Sequence, residues 1–150
     1  FAKAVAGAGV ILPDGGRAFL SVKDSDKFGL VSLGKELLDL GFALVATHGT
    51  AKVLHEGGIE CATIHKVGQG RPHVADLLKN EQIDLIVNTT EGHQSIRDSA
   101  VIRRLALRNK VCYTTTLTAA EACCIAIRYE RDHVGKKVRR LQDLHHELSC

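Results

Sequence analysis

The chain contains no tryptophan and no methionine, and only two prolines, four phenylalanines and two tyrosines. Its core must therefore be built from Val, Ile, Leu and Ala. At 150 residues with 45% hydrophobic content there is enough for one well-buried core and too little for two ordinary domains. Cysteine is present but in no structural pattern. Cys61, Cys112, Cys123, Cys124 and Cys150 are odd in number and include no CxxC pair, which excludes a disulfide framework and a zinc site and points to a reducing, cytoplasmic setting. No apolar run approaches membrane-spanning length and no secretory leader is visible, so no membrane partner is expected. Charge of one sign is also lacking. Twenty basic against 17 acidic residues leave a net charge of +3, with no basic stripe interleaved with aromatics, so nucleic acid is not an expected partner. GxGxxG, GxxxxGK[ST] and GxSxG are all absent. A chain that opens on Phe1 and lacks Met is expected to be a stretch of something longer.

What is present is an alternation of short apolar runs with amphipathic ones. Residues 1–16 read as a linker arriving from a preceding domain, closed by the turn Pro13-Asp14-Gly15-Gly16, and residues 17–150 as the domain proper. Arg17–Val22 is a strand. Asp24 or Ser25 caps the next helix, whose apolar face holds Leu30, Val31, Leu33, Leu37, Leu38 and Leu40 before a stop at Gly41. Phe42–Val45 is a buried strand running into Thr47-His48-Gly49-Thr50 and a helix that starts near Ala51. Glu60–Ile64 is a third strand, followed by the polar loop His65–His73 and a short helix with Val74, Leu77 and Leu78 on one side. Asp84–Val87, the most hydrophobic strand, suits a sheet centre buried on both faces. Helix Ile96–Leu107, strand Val111–Tyr113 and helix Thr118–Ile127 complete the core, with Arg128–Arg140 irregular in part and a terminal helix at Val138–Leu148. Five strand–helix alternations with short connections predict an α/β layered sandwich around a parallel sheet with right-handed crossovers.

In an open parallel sheet ligands sit outside the carboxyl ends of the strands. Those ends bring Lys27, then Thr47, Gly49 and Thr50, then Lys66, then Asn88-Thr89-Thr90 to one rim. The Thr-His-Gly-Thr turn feeds a helix whose first N–H groups lack intrahelical partners, and Gly49 lets a ligand approach the backbone. Ammonium groups, hydroxyls, a carboxamide and a helix N-terminus together suit a phosphate. The alternative reading of the turn is that Thr47 or Thr50 merely caps the helix. A catalyst is less evident. Asp98 is the nearest acid and most simply stabilises a helix N-terminus. His48, His65, His73 and His93 lie in rim loops as candidate bases, and Cys112, Cys123 and Cys124 read as small core residues.

The segments FAKA, GRAFLSVKDSDK, GFALVATHGTAKVL, HKVGQGRPHVAD, LIVNTT, IRDSAVIRR and VRRLQDLHHEL together resemble the C-terminal allosteric domain of bacterial carbamoyl-phosphate synthetase large subunits, nearly end to end. The resemblance implies a methylglyoxal-synthase-like fold, a three-layer sandwich around a five-stranded parallel sheet of order 3-2-1-4-5. It implies a domain that does no chemistry itself and sits within an ATP-dependent ligase making carbamoyl phosphate from glutamine and bicarbonate for pyrimidine and arginine biosynthesis. ATP, Mg and K would serve the rest of that enzyme, with no cofactor in this domain and no metal ligands. The implied partners are UMP as inhibitor, IMP and ornithine as activators, the other synthetase domains and the glutaminase small subunit. Carried over by motif, the phosphate would contact Lys27, Thr47, Thr50, Lys66, Asn88 and Thr90. The base would sit against Val74, Val101 and Ile102 with Asp98 alongside. Ornithine contacts would fall on Tyr113-Thr114-Thr115, just past the last strand, where the family has Tyr-Asp-Thr. Thr114 in place of the acid implies weakened ornithine activation.

Two enzyme families on the same fold offer an alternative. Methylglyoxal synthase, a lyase, uses a Gly-Gly-Asp element where this chain reads Gln69-Gly70-Arg71, and a guanidinium cannot abstract a proton at neutral pH. The IMP cyclohydrolase domain is similar through Ser25-Asp26-Lys27 and the Thr-x-Gly-Thr turn, and the similarity fades beyond them.

Overall fold

The computed structural model describes residues 11–132 of the chain. Five parallel strands pair in the order β3-β2-β1-β4-β5, the order implied by the resemblance. They are β1 (Gly16–Ser21), β2 (Phe42–Thr47), β3 (Ala62–Ile64), β4 (Leu85–Asn88) and β5 (Cys112–Thr114). A 3-10 turn, Asp24–Gly29, follows β1. The helices are α1 (Leu30–Asp39), α2 (His48–Glu56), α3 (Val74–Lys79), α4 (His93–Arg108) and α5 (Leu117–Asp132).

Side chains alternate across a strand, and that alternation separates two cores. Ala18 and Leu20 of β1, Leu44 and Ala46 of β2, and Leu85 and Val87 of β4 face one side, where Leu30, Leu33, Leu37, Leu54, Cys123 and Ile127 cover them. Phe19, Val45 and Ile86 face the other side, under Val74, Leu78, Ile102 and Ala106. Both faces of the central strands are dry, so helices must cover both. Each fully buried Leu, Ile or Phe contributes about 1.5–3 kcal/mol.

Several boundaries differ from expectation. β2 runs on through Thr47 because Thr47 pairs with Ile64 of β3, while β3 itself starts at Ala62 rather than Glu60. Asp24 and Ser25 cap no α-helix. They lie in the 3-10 turn, α1 begins at Leu30 with Gly29 as its uncapped N-cap, and Leu38 turns outward at 40% exposure. α4 starts at His93 instead of Ile96, with Gly92 as its N-cap. α5 continues to Asp132 instead of stopping at Ile127. Its last turn is anchored by Arg131, which donates to the Leu40 carbonyl at 2.6 Å and ion-pairs with Asp14. The expected linker up to residue 10, the terminal helix at Val138–Leu148 and Cys150 lie outside the described residues. Within them, no helix is long and apolar enough to cross a membrane.

Candidate functional site

All five strands end on one edge, and a cavity of about 290 Å³ opens there. Every member of the expected phosphate set lines it: Lys27, Thr47, Gly49, Thr50, Lys66, Asn88, Thr89 and Thr90. Four strand ends deliver the eight, those of β1, β2, β3 and β4, which is why residues up to 63 positions apart can meet. The apolar part of the lining is Phe19, Val22, Val67, Val74 and Ile102.

The two threonines of the turn are buried, and neither caps α2. Thr47 occupies the N-cap position without a side-chain cap bond. Thr50 is 1% exposed, and its Oγ1 accepts the Val22 N–H at 3.0 Å from across the sheet edge and the Thr47 hydroxyl at 3.3 Å. Those two donors fill both lone pairs of the Thr50 oxygen. Its own hydrogen remains to be donated, and Thr50 lines the cavity. The capping alternative is thereby set aside. The Lys23 N–H similarly donates to Thr89 Oγ1 at 2.9 Å, tying the 3-10 turn to the end of β4.

Lys27 carries the electrostatics. A Cβ built on Gly49 would stand 3.7 Å from the Lys27 ammonium, so that ammonium lies against the first turn of α2. Cations belong at helix C-termini, and an ammonium against the partial positive charge of an N-terminus is unfavourable unless an anion joins it. The lysine side chain is only 27% exposed, so the charge is held there by the surrounding wall. Asp24 pairs with it at 2.5 Å. The hydrogen bond and charge of Lys27, with a further contribution from Lys66, hold the Asp24 carboxyl below the usual carboxylate range.

Asn88 forms the floor. Its side-chain amide donates to Ser99 Oγ at 3.1 Å and to Tyr113 Oη at 3.0 Å, and those two hydroxyls bond each other at 2.9 Å. The network joins β4, α4 and β5 and fixes the amide plane. The Tyr113 ring also lies beneath the Arg103 guanidinium, 5.5 Å from its centroid.

Of the expected base pocket, Val74, Asp98 and Ile102 line the cavity and Val101 does not. Asp98 sits in the second turn of α4, because the helix starts three residues earlier than expected. Asp98, Ser99 and Ile102 share one face of that helix, and Val101 falls on its flank. Tyr113 lies within the last strand, as the expected strand Val111–Tyr113 has it, and β5 runs one residue further, so Thr114 belongs to the strand and does not lie past it. Thr114 is 5% exposed, and its hydroxyl donates to the Ile86 carbonyl at 3.1 Å, inside the sheet. Thr115 is exposed. None of the three lines the cavity.

The candidate bases also lie elsewhere. His48, His65, His73 and His93 do not line the cavity, and His73 instead packs its Nδ1 3.4 Å from Asp76. Arg71 is exposed and reaches Asp76 at 3.9 Å. Asp98 is not the only acid near the rim, since Asp24 and Glu91 line the cavity as well. Sequence reasoning also missed Ser21 and Ser99. Ser21 ends β1, so the same strand-end argument would have found it, whereas Ser99 carries no local signal. Cys112, Cys123 and Cys124 are buried core residues, as expected. Among the described residues no group of three or more His, Cys, Asp and Glu side chains is placed to hold a metal ion.

Residues 29–115 match the family described as MGS-like domain. Over all 150 residues the chain is 52% identical to the carbamoyl phosphate synthase large chain of Pseudomonas putida, covering 14% of that protein. It is 47% identical to the large chain of Vibrio vulnificus over the same 150 residues, again 14% of the relative. The large chain of Acidobacterium capsulatum is 47% identical over 146 residues, 97% of this chain and 13% of that one. The chain thus spans about one seventh of the relatives it matches. Among solved structures, a Haloferax mediterranei glucose dehydrogenase complexed with NADP, Zn and gluconolactone aligns with a TM-score of 0.42 at 14% identity, over 85% of this chain and 44% of that one, a likeness too low to bear on function.

Proposed function

The chain belongs to the MGS-like domain family, and from that premise we propose that it is the effector-binding regulatory domain of a carbamoyl-phosphate synthetase large chain, taking a nucleoside monophosphate, UMP or IMP, by its phosphate. The observation that carries the reading is the Lys27 ammonium set against the first turn of α2, a doubly positive point attended so far by the exposed Asp24 carboxylate and suited to a phosphate. Lys66, Thr50 and the Asn88 platform surround the same space with a second cation and further hydrogen-bonding groups. Val74 and Ile102 offer an apolar wall for sugar and base. At about 290 Å³ the cavity stands near the lower end of the roughly 300–1,000 Å³ typical of ligand pockets.

Control follows from shared occupancy. A phosphate at this edge contacts the ends of β1, β2, β3 and β4 together, so binding orders four connections at once. If the surrounding enzyme holds those connections differently in its active and inactive states, the effector shifts the balance by its differential affinity, typically about 1–3 kcal/mol. Ornithine is the part of the proposal resting on resemblance alone, through Tyr113, Thr114 and Thr115. The test is calorimetric titration of this chain with UMP, IMP, ornithine and dihydroxyacetone phosphate in parallel. UMP and IMP should bind, and Lys66→Ala should weaken both by about 1.5–3 kcal/mol for a lost charged contact. Equal binding by parent and variant would place the site elsewhere. Methylglyoxal formed from dihydroxyacetone phosphate above a buffer control would replace the regulatory reading with an enzymatic one.

A further inference from the structure

We propose that Asp24 is a resident counter-anion of this pocket, which an arriving phosphate must displace from Lys27 and which thereby sets the anion selectivity of the site. The inference rests on the phosphate-pocket reading above and adds a residue that opposes binding. Three observations combine. Asp24 and Lys27 both line the cavity and pair at 2.5 Å, so the carboxylate already sits on the ammonium that would take the ligand. Lys27 lies against the first turn of α2, where its charge calls for an anion, and among the described residues the ion pair it forms is with Asp24. The two partners are unequally held: the Asp24 side chain is 92% exposed and that of Lys27 only 27%.

That asymmetry decides which partner moves. The lysine side chain is largely covered, whereas the carboxylate stands in water on the 3-10 turn and can turn away with little loss, since an exposed pair contributes little to stability. Three lysines, Lys23, Lys27 and Lys66, line the cavity; Lys23 stands 3.8 Å from Asp26, and Asp24 neutralises Lys27 while it stays in place. With it turned away, two ammonium groups and a helix N-terminus face the same point. A monoanionic carboxylate offers Lys27 nothing better than Asp24 already does, whereas a phosphate dianion also engages Lys66 and the helix. The exchange therefore favours phosphate monoesters over carboxylates, and it lowers the affinity for every anion.

Asp24→Asn separates charge from positioning, because the amide oxygen still accepts from Lys27 while the competing charge is gone. The experiment is calorimetry of parent and Asp24→Asn chains with UMP, inorganic phosphate and uridine, at low salt and again at high salt. UMP and inorganic phosphate should each bind about three- to tenfold tighter to the variant, the gain should shrink at high salt, and uridine should not distinguish the two proteins. A parent that binds UMP beside a variant that binds it equally or more weakly would overturn this inference and leave the pocket reading intact. If neither protein binds UMP, the pocket reading fails and this inference falls with it. Matching melting temperatures establish that the variant is folded.

Discussion

Thr50→Val is the perturbation that tests most directly how the pocket is built. The substitution keeps the shape and the β-branch and removes one oxygen. In the parent, that oxygen accepts the Val22 N–H at 3.0 Å and the Thr47 hydroxyl at 3.3 Å, both buried. Valine leaves the Val22 N–H without a partner in a residue 8% exposed, at the point where β1 has run out of ladder bonds. An orphaned buried donor costs about 1–3 kcal/mol. At roughly 2–4 °C per kcal/mol for a chain of this size, the melting temperature should fall by about 2–12 °C. The same change removes the one hydrogen that Thr50 has left to give a phosphate, so UMP affinity should drop by a further 1.5–3 kcal/mol, about tenfold or more. Differential scanning calorimetry and titration calorimetry read the two effects separately. Thr50→Ser restores the oxygen and should recover most of both. A valine variant as stable as the parent would refute the hydrogen-bond accounting, and one that binds UMP equally well would refute the role in binding.

Tyr113→Phe removes one apex of the Asn88–Ser99–Tyr113 triangle and should cost about 0.5–1.5 kcal/mol in chemical denaturation, with a parallel loss of UMP affinity as the amide loses its fixed plane. Gly16→Ala places a Cβ 2.1 Å from an Asp84 carboxylate oxygen at φ +105, and that carboxylate accepts the Arg17 N–H at 2.8 Å, so the variant should lose about 1–3 kcal/mol whichever group yields. Thiol labelling at neutral pH, mapped by mass spectrometry, should modify Cys61 well before Cys112, Cys123 or Cys124 in the folded chain. Those three are buried, and burial with nearby carboxylates pushes the Cys124 thiol up to about 11. Prompt labelling of Cys124 would show that α5 opens readily.

How much of this was legible beforehand depended on whether the information was local. The apolar run in Asp84–Val87 already implied a sheet centre covered on both faces. Parallel strands end on one edge, so Lys27, Thr50, Lys66 and Asn88 could be brought together before any contact was known. Element ends were less legible, because they depend on partners. Thr47 belongs to β2 only because Ile64 pairs with it, and the last turn of α5 is held by Asp14 and Leu40 from far along the chain. The functional bonding of the pocket was invisible for the same reason. The Thr50–Val22 bond spans 28 residues, Lys23–Thr89 spans 66 and Asn88–Tyr113 spans 25. A threonine before a helix looks like a cap in any sequence, and a threonine after a strand looks like a rim residue. Residue type and period thus determined the layers and the edge on which a ligand would sit. Only tertiary structure decided that Thr50 supports β1, that Asp24 pairs with Lys27, and that Thr114 is spent on Ile86, because a polar group bonds to the partner that folding brings within reach.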